Sequence, residues 1–423
     1  MLQISYIRQN AELVKEKLEV KNFDDLVIVD RLLETDEALR KLKTETETLQ
    51  ASINAASKEI GMLMGKGENN AAEARKLEVA QHKNGLQDLQ QQLTDIEKLL
   101  MEELLKLPNL PHRSVPKGKS PEDNEVVKEG GTIPSLDAQA LPHWDLIKQY
   151  DLVDFETGVK LTGSGFPLYK GKGAKLQRAL IQYFLDYNTA AGYTEYLPPL
   201  LVNEASAYGT GQLPDKEGQM YHATADNFYL IPTAEVPVTN IYRDEILKES
   251  ELPVKMTAYT PCFRREAGSF GADVRGLNRV HQFDKVEIVQ LAHPDKSYEV
   301  LEEMVNHVEK LLQSLQLPYR ILRLCGGDMS FASALTYDFE VFSAAQKKWL
   351  EVSSVSNFES FQSNRMKIRF RDGDNKTQLL HSLNGSSLAL PRIVACLLEN
   401  NQTSAGIELP KVLHDYFGSP VIC

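Results

Sequence analysis

The sequence predicts an α+β protein in two parts: an N-terminal antiparallel coiled-coil helical arm, then a domain whose mainly antiparallel sheet is flanked by helices. Three observations carry this. Apolar residues recur at heptad spacing through about the first hundred residues. A proline-rich stretch then interrupts the helical pattern. Beyond it, strand-like blocks bracket an isolated helix instead of alternating regularly with helices, and no doubly wound pattern is visible.

In the arm, Leu32, Leu39, Ile53 and Ile60 fall on one register of seven, and Leu42, Leu49 and Leu63 form the interleaved seam. Gly65, Lys66, Gly67, Glu68, Asn69 and Asn70 break the pattern. A second helix follows, with Val79, Leu86, Leu93 and Leu100 in one register and Leu89 and Ile96 in the other. About 35 residues per helix, each rising about 1.5 Å, give an arm of roughly 50 Å. Its remaining positions are polar, with no third apolar stripe, so it is expected to project rather than lie against a surface.

Pro108, Pro111, Pro116 and Pro121 cannot continue a helix, so residues 107–124 read as a linker between an N-terminal domain at 1–106 and a second domain at 125–423. In the second domain GKGAK, residues 171–175, lacks the spacing and the Ser/Thr of a P-loop and reads as a turn before a helix over 176–187. A further helix is expected at 297–315, and a final one from about Leu388.

At 423 residues, 42% of them hydrophobic, the chain can bury a substantial core in two or more domains. No apolar run of about 18 residues appears, and the N-terminus is amphipathic without a signal-peptide core, so a cytoplasmic location and no membrane partner are expected. Cys262, Cys325, Cys396 and Cys423 are isolated, which argues against a disulfide framework or a sequence-local zinc site and for free buried thiols. A net charge of −12 argues against a generally basic nucleic-acid-binding protein; any RNA contact must be local.

Residues 261–290 hold the densest chemistry. Arg264 and Glu266 are two apart on one predicted hairpin arm; Arg279, His281, Phe283, Lys285 and Glu287 alternate on the other, so strand periodicity sends each set to one face. Read alone, this is either a solvated face with cross-strand ion pairs or a nucleotide site, with Arg for phosphate, an aromatic ring for a base and a carboxylate for an amine. Gly268, Gly271 and Gly276 in the connection suit a close approach to a ligand.

FRREAG followed by HQFDKVE resembles motif 2 of the class II aminoacyl-tRNA synthetases and, in detail, the bacterial-type seryl-tRNA synthetase family. Further matches lie in the family's order: LPPLLVNEASAYGTGQLP from Leu197, IPTAEVPVTN from Ile231, LEVSSVSNFESFQ from Leu350 and LNGSSLALPR from Leu383. The resemblance spans nearly the whole chain and implies a class II catalytic domain. It further implies ATP-dependent ligation of L-serine to tRNA(Ser) through a seryl-adenylate, with Mg2+, in a homodimer whose interface involves Pro198 and the preceding helix. It leaves tRNA(Sec) open as a second acceptor.

Residue by residue, the resemblance puts Arg264 between the α-phosphate and the serine carboxylate, Glu266 on the adenine amino group, Phe283 against the base, and Arg279 and Arg392 on the γ-phosphate. It also brings Arg265, Val352 and Ser353 to the ATP site. Glu351 matches the metal-bridging carboxylate, with Ser354 a second ligand. Thr233, Ala234, Glu235, Glu287, Asn384 and Ser386 surround the amino acid, with Arg264 on its carboxylate. His281 is expected to be structural, Glu340 likewise, and Lys285 has no assigned role. Lys58, Lys66, Arg75, Lys76 and Lys83 near the tip of the arm, and Phe270, are the tRNA-binding candidates, although residues 31–105 hold ten Lys and Arg against fourteen Asp and Glu. Gly326, Leu335 and Pro391 depart from the family pattern. Two other readings stand beside this one: an adenylating ligase with a non-tRNA acceptor, and a noncatalytic coiled-coil paralogue.

Overall fold

The computed structural model describes residues 1–215, 218–266 and 275–423, and the chain divides into two compact units. Met1–Glu19 and Phe23–Pro108 form the first; residues 20–22 and Asn109–Cys423 form the second.

The first unit opens with two short helices, α1 (Ile4–Gln9) and α2 (Ala11–Val20), followed by the long helices α3 (Ile28–Gly65) and α4 (Asn69–Leu104). α3 and α4 pair as the expected hairpin. Ile53, Ala56, Val79 and Leu86 are buried between them, with Leu49 and Ile60 partly covered. Thr46 occupies the heptad position that lacks an apolar side chain, and its hydroxyl donates to the Leu42 carbonyl at 2.7 Å. A buried carboxylate fixes the root: Asp36 accepts from Arg8 Nε and Nη2 at 2.8 and 2.9 Å and from Arg40 Nε at 3.0 Å. Paired this way by fork-shaped donors, the charge is compensated rather than stranded.

The second unit is built on an eight-stranded sheet. Its strands are β1 (Glu125–Gly130), β2 (Thr194–Tyr196), β3 (Val254–Phe263), β4 (Gln282–Ala292), β5 (Tyr319–Arg323), β6 (Leu335–Ser343), β7 (Lys348–Asn357) and β8 (His381–Ala389). Their spatial order is β1-β5-β6-β7-β8-β4-β3-β2, antiparallel throughout except for the parallel β3–β2 edge. Helices α5 (His143–Gln149), α6 (Gly171–Ala190), α7 (Ser297–Ser314) and α8 (Leu390–Asn400) contribute to the main core with the sheet. Val286 and Ile288 of β4, Phe339 and Val341 of β6, and Val355 of β7 point into that core. Period-two alternation therefore sends Phe283, Lys285 and Glu287, and likewise Thr336 and Asp338, to the opposite face.

Several local expectations change. GKGAK is the first turn of α6, not a turn before it. Gly173 packs so closely on the preceding chain that a Cβ there would lie 2.1 Å from the Leu152 carbonyl oxygen, and this contact fixes the helix start. α8 begins at Leu390 and is not the last element, since strands Gly406–Glu408 and Val421–Ile422 and the short helix His414–Phe417 follow. Within the stretch read as a linker, Leu110 and Val115 are buried, and Asn109 Nδ2 donates to the carbonyls of Ala332 and Phe358 at 2.9 and 2.8 Å. Of the four thiols, Cys262, Cys325 and Cys396 are buried but Cys423 is exposed. A Cβ at Gly326 would stand 1.8 Å from the Val20 carbonyl oxygen, which explains that departure. Leu335 is buried in the sheet core. Among the described residues no helix is long and apolar enough to cross a membrane.

Candidate functional site

A cavity of about 650 Å³ opens on the polar face of the sheet. Its floor is β4, β6, β7 and β8, and the segments before β4 and the loop of residues 210–215 form its walls. Arg264 and Glu266 lie just past the end of β3, and Arg279 lies ahead of β4, so the predicted hairpin faces are joined by irregular chain rather than by continuous strands. Glu266 has a positive φ of 48°, which turns its carboxylate to accept from Arg279 Nη1 at 3.2 Å. The Arg264 guanidinium lies 5.3 Å from the centroid of the Phe283 ring, and its Nε donates to the Pro232 carbonyl at 3.3 Å. A cation, a flat ring and a carboxylate thus stand together, with ring and cation in mutual contact.

Deeper in the cavity is a buried polar cluster. Lys285 Nζ lies 2.6 Å from Glu287 Oε2 and donates to Thr233 Oγ1 at 2.9 Å. The Thr233 hydroxyl donates to Glu287 Oε2 at 3.1 Å and accepts from the Glu235 amide at 3.2 Å. Lys285 and Glu287 are almost wholly buried, so each offsets the desolvation of the other. Lys285, left without a role by the sequence, is the counter-ion of this pocket. Glu235 accepts from Gln362 Nε2 at 2.6 Å; burial and then the charge of Glu287 push its carboxyl up to about 7. Asn384 and Ser386 line the same recess, and Asn384 Nδ2 is buried without a hydrogen-bond partner. Such a donor costs about 1–3 kcal/mol unless something completes it.

A second group of oxygens lies on β6 and β7. The two strands slip register between Phe339 and Glu340: Phe339 faces Ser353, while Glu340 faces Glu351. The extra residue, Val352, makes a β-bulge that lets Glu351 share the cavity face with Ser354, three positions on. Asp338, opposite Ser354, lines the cavity with its Oδ1 buried and unpaired; burial, then the charge of Glu351, hold its carboxyl well above the ordinary range. Arg392, from the first turn of α8, donates through Nη1 to the Glu351 carbonyl at 2.7 Å and through Nε to the Asn278 carbonyl at 3.0 Å. Among the described residues no group of three or more His, Cys, Asp or Glu is arranged to hold a metal by itself.

The structure thus brings together Arg264, Glu266, Arg279, Phe283, Glu287, Thr233, Glu235, Glu351, Val352, Ser353, Ser354, Asn384, Ser386 and Arg392 around one cavity. Two expected residues stand outside it. Arg265 is exposed, its amide donating to the Gln219 carbonyl at 3.0 Å, and Ala234 is buried in a neighbouring apolar cluster. Both reflect backbone direction, because each sits one position away from a residue that faces in. His281 stacks on Phe166 at 5.4 Å and bonds the Arg264 carbonyl at 3.0 Å, a structural role. Glu340 is paired with Arg320. Pro391 lines the cavity beside Arg392.

Sequence reasoning missed Asp338, Gln362 and Arg365. For Asp338 the polar alternation of Thr336, Asp338 and Glu340 was an available signal. Arg365, which reaches the carbonyls of Tyr208 and Leu213 at 3.0 Å each and so fixes one cavity wall, had none. In the first unit Lys58, Lys66 and Lys83 are exposed, whereas Arg75 pairs with Glu59 and Glu78, and Lys76 pairs with Glu73. Phe270 lies outside the described residues.

Residues 1–111 match the family model described as the seryl-tRNA synthetase N-terminal domain, and residues 220–401 match the tRNA synthetase class II core domain (G, H, P, S and T). The chain is 51% identical over 420 residues to a serine–tRNA ligase of Salinibacter ruber, covering 99% of this chain and 98% of the relative. It is 48% identical to one of Methylacidiphilum infernorum, covering 99% of each chain. A crystal structure of seryl-tRNA synthetase from Pyrococcus horikoshii complexed with ATP superposes with a TM-score of 0.92 at 33% identity, covering 99% of each chain.

Proposed function

Because the chain belongs to the seryl-tRNA synthetase family, it ligates L-serine to tRNA(Ser) with ATP through a seryl-adenylate, and we propose how its residues divide that work. The observation that carries the division is the single cavity in which the Arg264–Phe283 platform adjoins the Thr233–Lys285–Glu287 recess.

In the first step an oxygen of the serine carboxylate bonds to the α-phosphorus of ATP, the bond to the bridging oxygen breaks, and pyrophosphate leaves. The carboxylate is already ionised, so no protein base is needed. What the protein supplies is alignment of two anions and compensation of growing negative charge. Arg264 bridges the carboxylate and the α-phosphate, a task suited to a planar fork of donors. Phe283 stacks on adenine while Glu266 takes its amino group, exchanging its bond to Arg279 for the nucleotide. Arg279 and Arg392 hold the γ-phosphate.

Serine occupies the recess. Glu287 and Thr233 receive the ammonium group, Glu235 adds negative charge behind them, and the unpaired Asn384 Nδ2 meets the hydroxyl, with Ser386 closing the wall. Alanine would leave that donor unsatisfied, and the small recess excludes threonine. In the second step a terminal ribose hydroxyl of tRNA attacks the acyl carbon, the bond from that carbon to the phosphate oxygen breaks, and AMP leaves as the hydroxyl proton is released.

The donor set fits Mg2+. Glu351, Ser354 and the unpaired Asp338 Oδ1 are hard oxygens on one cavity face, too few to enclose an ion, which matches a metal that fills its shell with waters and phosphate oxygens. Glu351 and Ser354 would hold it. Bound there, the ion neutralises phosphate charge.

For the remaining partners, we assign tRNA recognition to the α3–α4 arm, with exposed Lys58, Lys66 and Lys83 preferred over the ion-paired Arg75 and Lys76. The division into domains at 1–106 and 125–423 remains part of this proposal. Leu197, Leu200 and Leu201 are exposed just beyond α6, where motif 1 of the family contributes to the homodimer interface, and we place self-association there. Cytoplasmic location and tRNA(Sec) as a second acceptor are likewise proposed. Serine-dependent ATP–pyrophosphate exchange followed by charging of tRNA(Ser) and tRNA(Sec) tests the whole reading. Exchange without charging of either tRNA would point to another acceptor, and absence of both activities would sink it.

A further inference from the structure

Away from the substrates, a buried hydrogen-bonded hub connects α5, α8 and the chain that returns to β4. His143 and Glu399 are both wholly inaccessible, and their Nδ1 and Oε1 atoms are 2.7 Å apart. The Leu277 amide donates to His143 Nε2 at 2.9 Å. Nε2 is therefore the unprotonated nitrogen, and Nδ1 carries the proton that is donated to Glu399. The fit around the imidazole is tight: a Cβ at Gly276, whose φ is +65°, would lie 2.3 Å from Nε2. Next to it, the Arg275 guanidinium sits 4.5 Å over the Trp144 ring. Three successive residues, 275–277, are thus held by the His143–Trp144 pair.

The hub continues to the cavity. Gln346 Nε2 donates to Glu399 Oε1 at 2.8 Å, and Gln346 Oε1 accepts from Asn278 Nδ2 at 2.9 Å. The Asn278 carbonyl in turn accepts from Arg392 Nε at 3.0 Å, and Arg279 is the next residue. Ser343 bonds Glu399 rather than His143, so the Ser, His and Glu do not make a nucleophilic triad. The hub leads toward the reaction through the backbone of residues 277–279, whose Asn278 carbonyl accepts from Arg392.

We propose that His143 and Glu399 are positioning residues for the terminal phosphates of ATP: the neutral imidazole grips the Leu277 amide and holds the Asn278–Arg279 backbone in register with Arg392. This rests on the assignment of Arg279 and Arg392 to the γ-phosphate. A backbone that shifts when the grip is lost would weaken contact with the β- and γ-phosphates but leave the adenine, α-phosphate and serine contacts in place, because those come from Arg264, Phe283, Glu266 and the Thr233 recess.

The test compares ATP with AMP, which lacks those phosphates. In pyrophosphate exchange, His143→Ala is expected to raise the KM for ATP about tenfold while the KM for serine and the inhibition constant of AMP stay within about twofold; His143→Gln, which keeps an acceptor, should recover part of the loss. Equal weakening toward ATP and AMP, or no change in either, overturns the proposal. Arg279→Ala and Arg392→Ala run alongside. If they lose ATP selectively and His143→Ala does not, the positioning role alone fails; if neither does, the phosphate assignment fails and this inference with it. Should the alanine protein not fold, Gln346→Ala cuts the same link from a partly exposed position. It is expected to give an ATP-selective loss of about threefold, and a loss shared with AMP would overturn the role.

Discussion

The arm and the cavity are stabilised in opposite ways. Along the middle of the α3–α4 hairpin the buried residues are aliphatic, with the buried carboxylates Asp36 and Glu103 confined to its root, and the other polar side chains are largely exposed or paired at the surface. The cavity buries Lys285, Glu287, Thr233 and Glu235 as one linked cluster, with Asn384 buried in the same recess. An aliphatic seam tolerates substitution at a cost set by lost area, whereas a buried polar cluster depends on every member keeping its partner. The arm should therefore respond to mutation gradually and without effect on chemistry, and the cavity abruptly.

The strongest way to break this contrast is to remove one side of it. Deleting residues 41–97 and closing the gap with a short turn, which keeps the Asp36–Arg8 tie, should reduce tRNA charging to background while pyrophosphate exchange stays near the parent's rate. Equal loss of both would make the arm part of the catalytic fold. On the other side, Arg264→Ala should lower exchange by about 10²–10³-fold in folded protein, the usual result of losing one preorganised charge-stabilising group. A loss of less than tenfold would remove Arg264 from the reacting centre.

Glu351→Gln exchanges the charged oxygen proposed to hold magnesium for a neutral one and should cost about tenfold, recovered in part as magnesium is raised. A magnesium titration identical to the parent's would argue for a different ligand. Within the arm, Leu86→Ala should lower the stability of the first unit by about 2 kcal/mol, read by hydrogen exchange in α3 and α4, with pyrophosphate exchange unchanged. The finest test is pH. Burial, then the charge of Glu287, push the Glu235 carboxyl up to about 7, and a bound ammonium group favours its carboxylate form. Serine affinity should thus strengthen several-fold as pH rises through about 7, and Glu235→Gln should flatten that dependence. A serine KM that is independent of pH in the parent would show that Glu235 does not sense the substrate.

Legibility followed the range of the interactions. Heptad spacing located the hairpin because the seam depends on residues three and four apart, and alternation in β4 placed Phe283, Lys285 and Glu287 on one face for the same local reason. Local pattern could not foresee that GKGAK would be helical, since the close packing of Gly173 on the Leu152 carbonyl comes from another element. Nor could it exclude Arg265, which is as cationic as Arg264 but points outward.

What the sequence determined by itself was the arm, the strand-rich character of the second domain and the residue types that line the cavity, because these follow from backbone periodicity and from motifs only a few residues long. Only the tertiary structure decided that Lys285 is the counter-ion of Glu287, that a bulge at Val352 sets Glu351 beside Ser354, and that His143, backed by Glu399, meets the Leu277 amide. Each of these depends on pairs distant along the chain or on a one-residue slip between strands, and a buried charge finds its partner by where the backbone brings it, which local sequence does not encode.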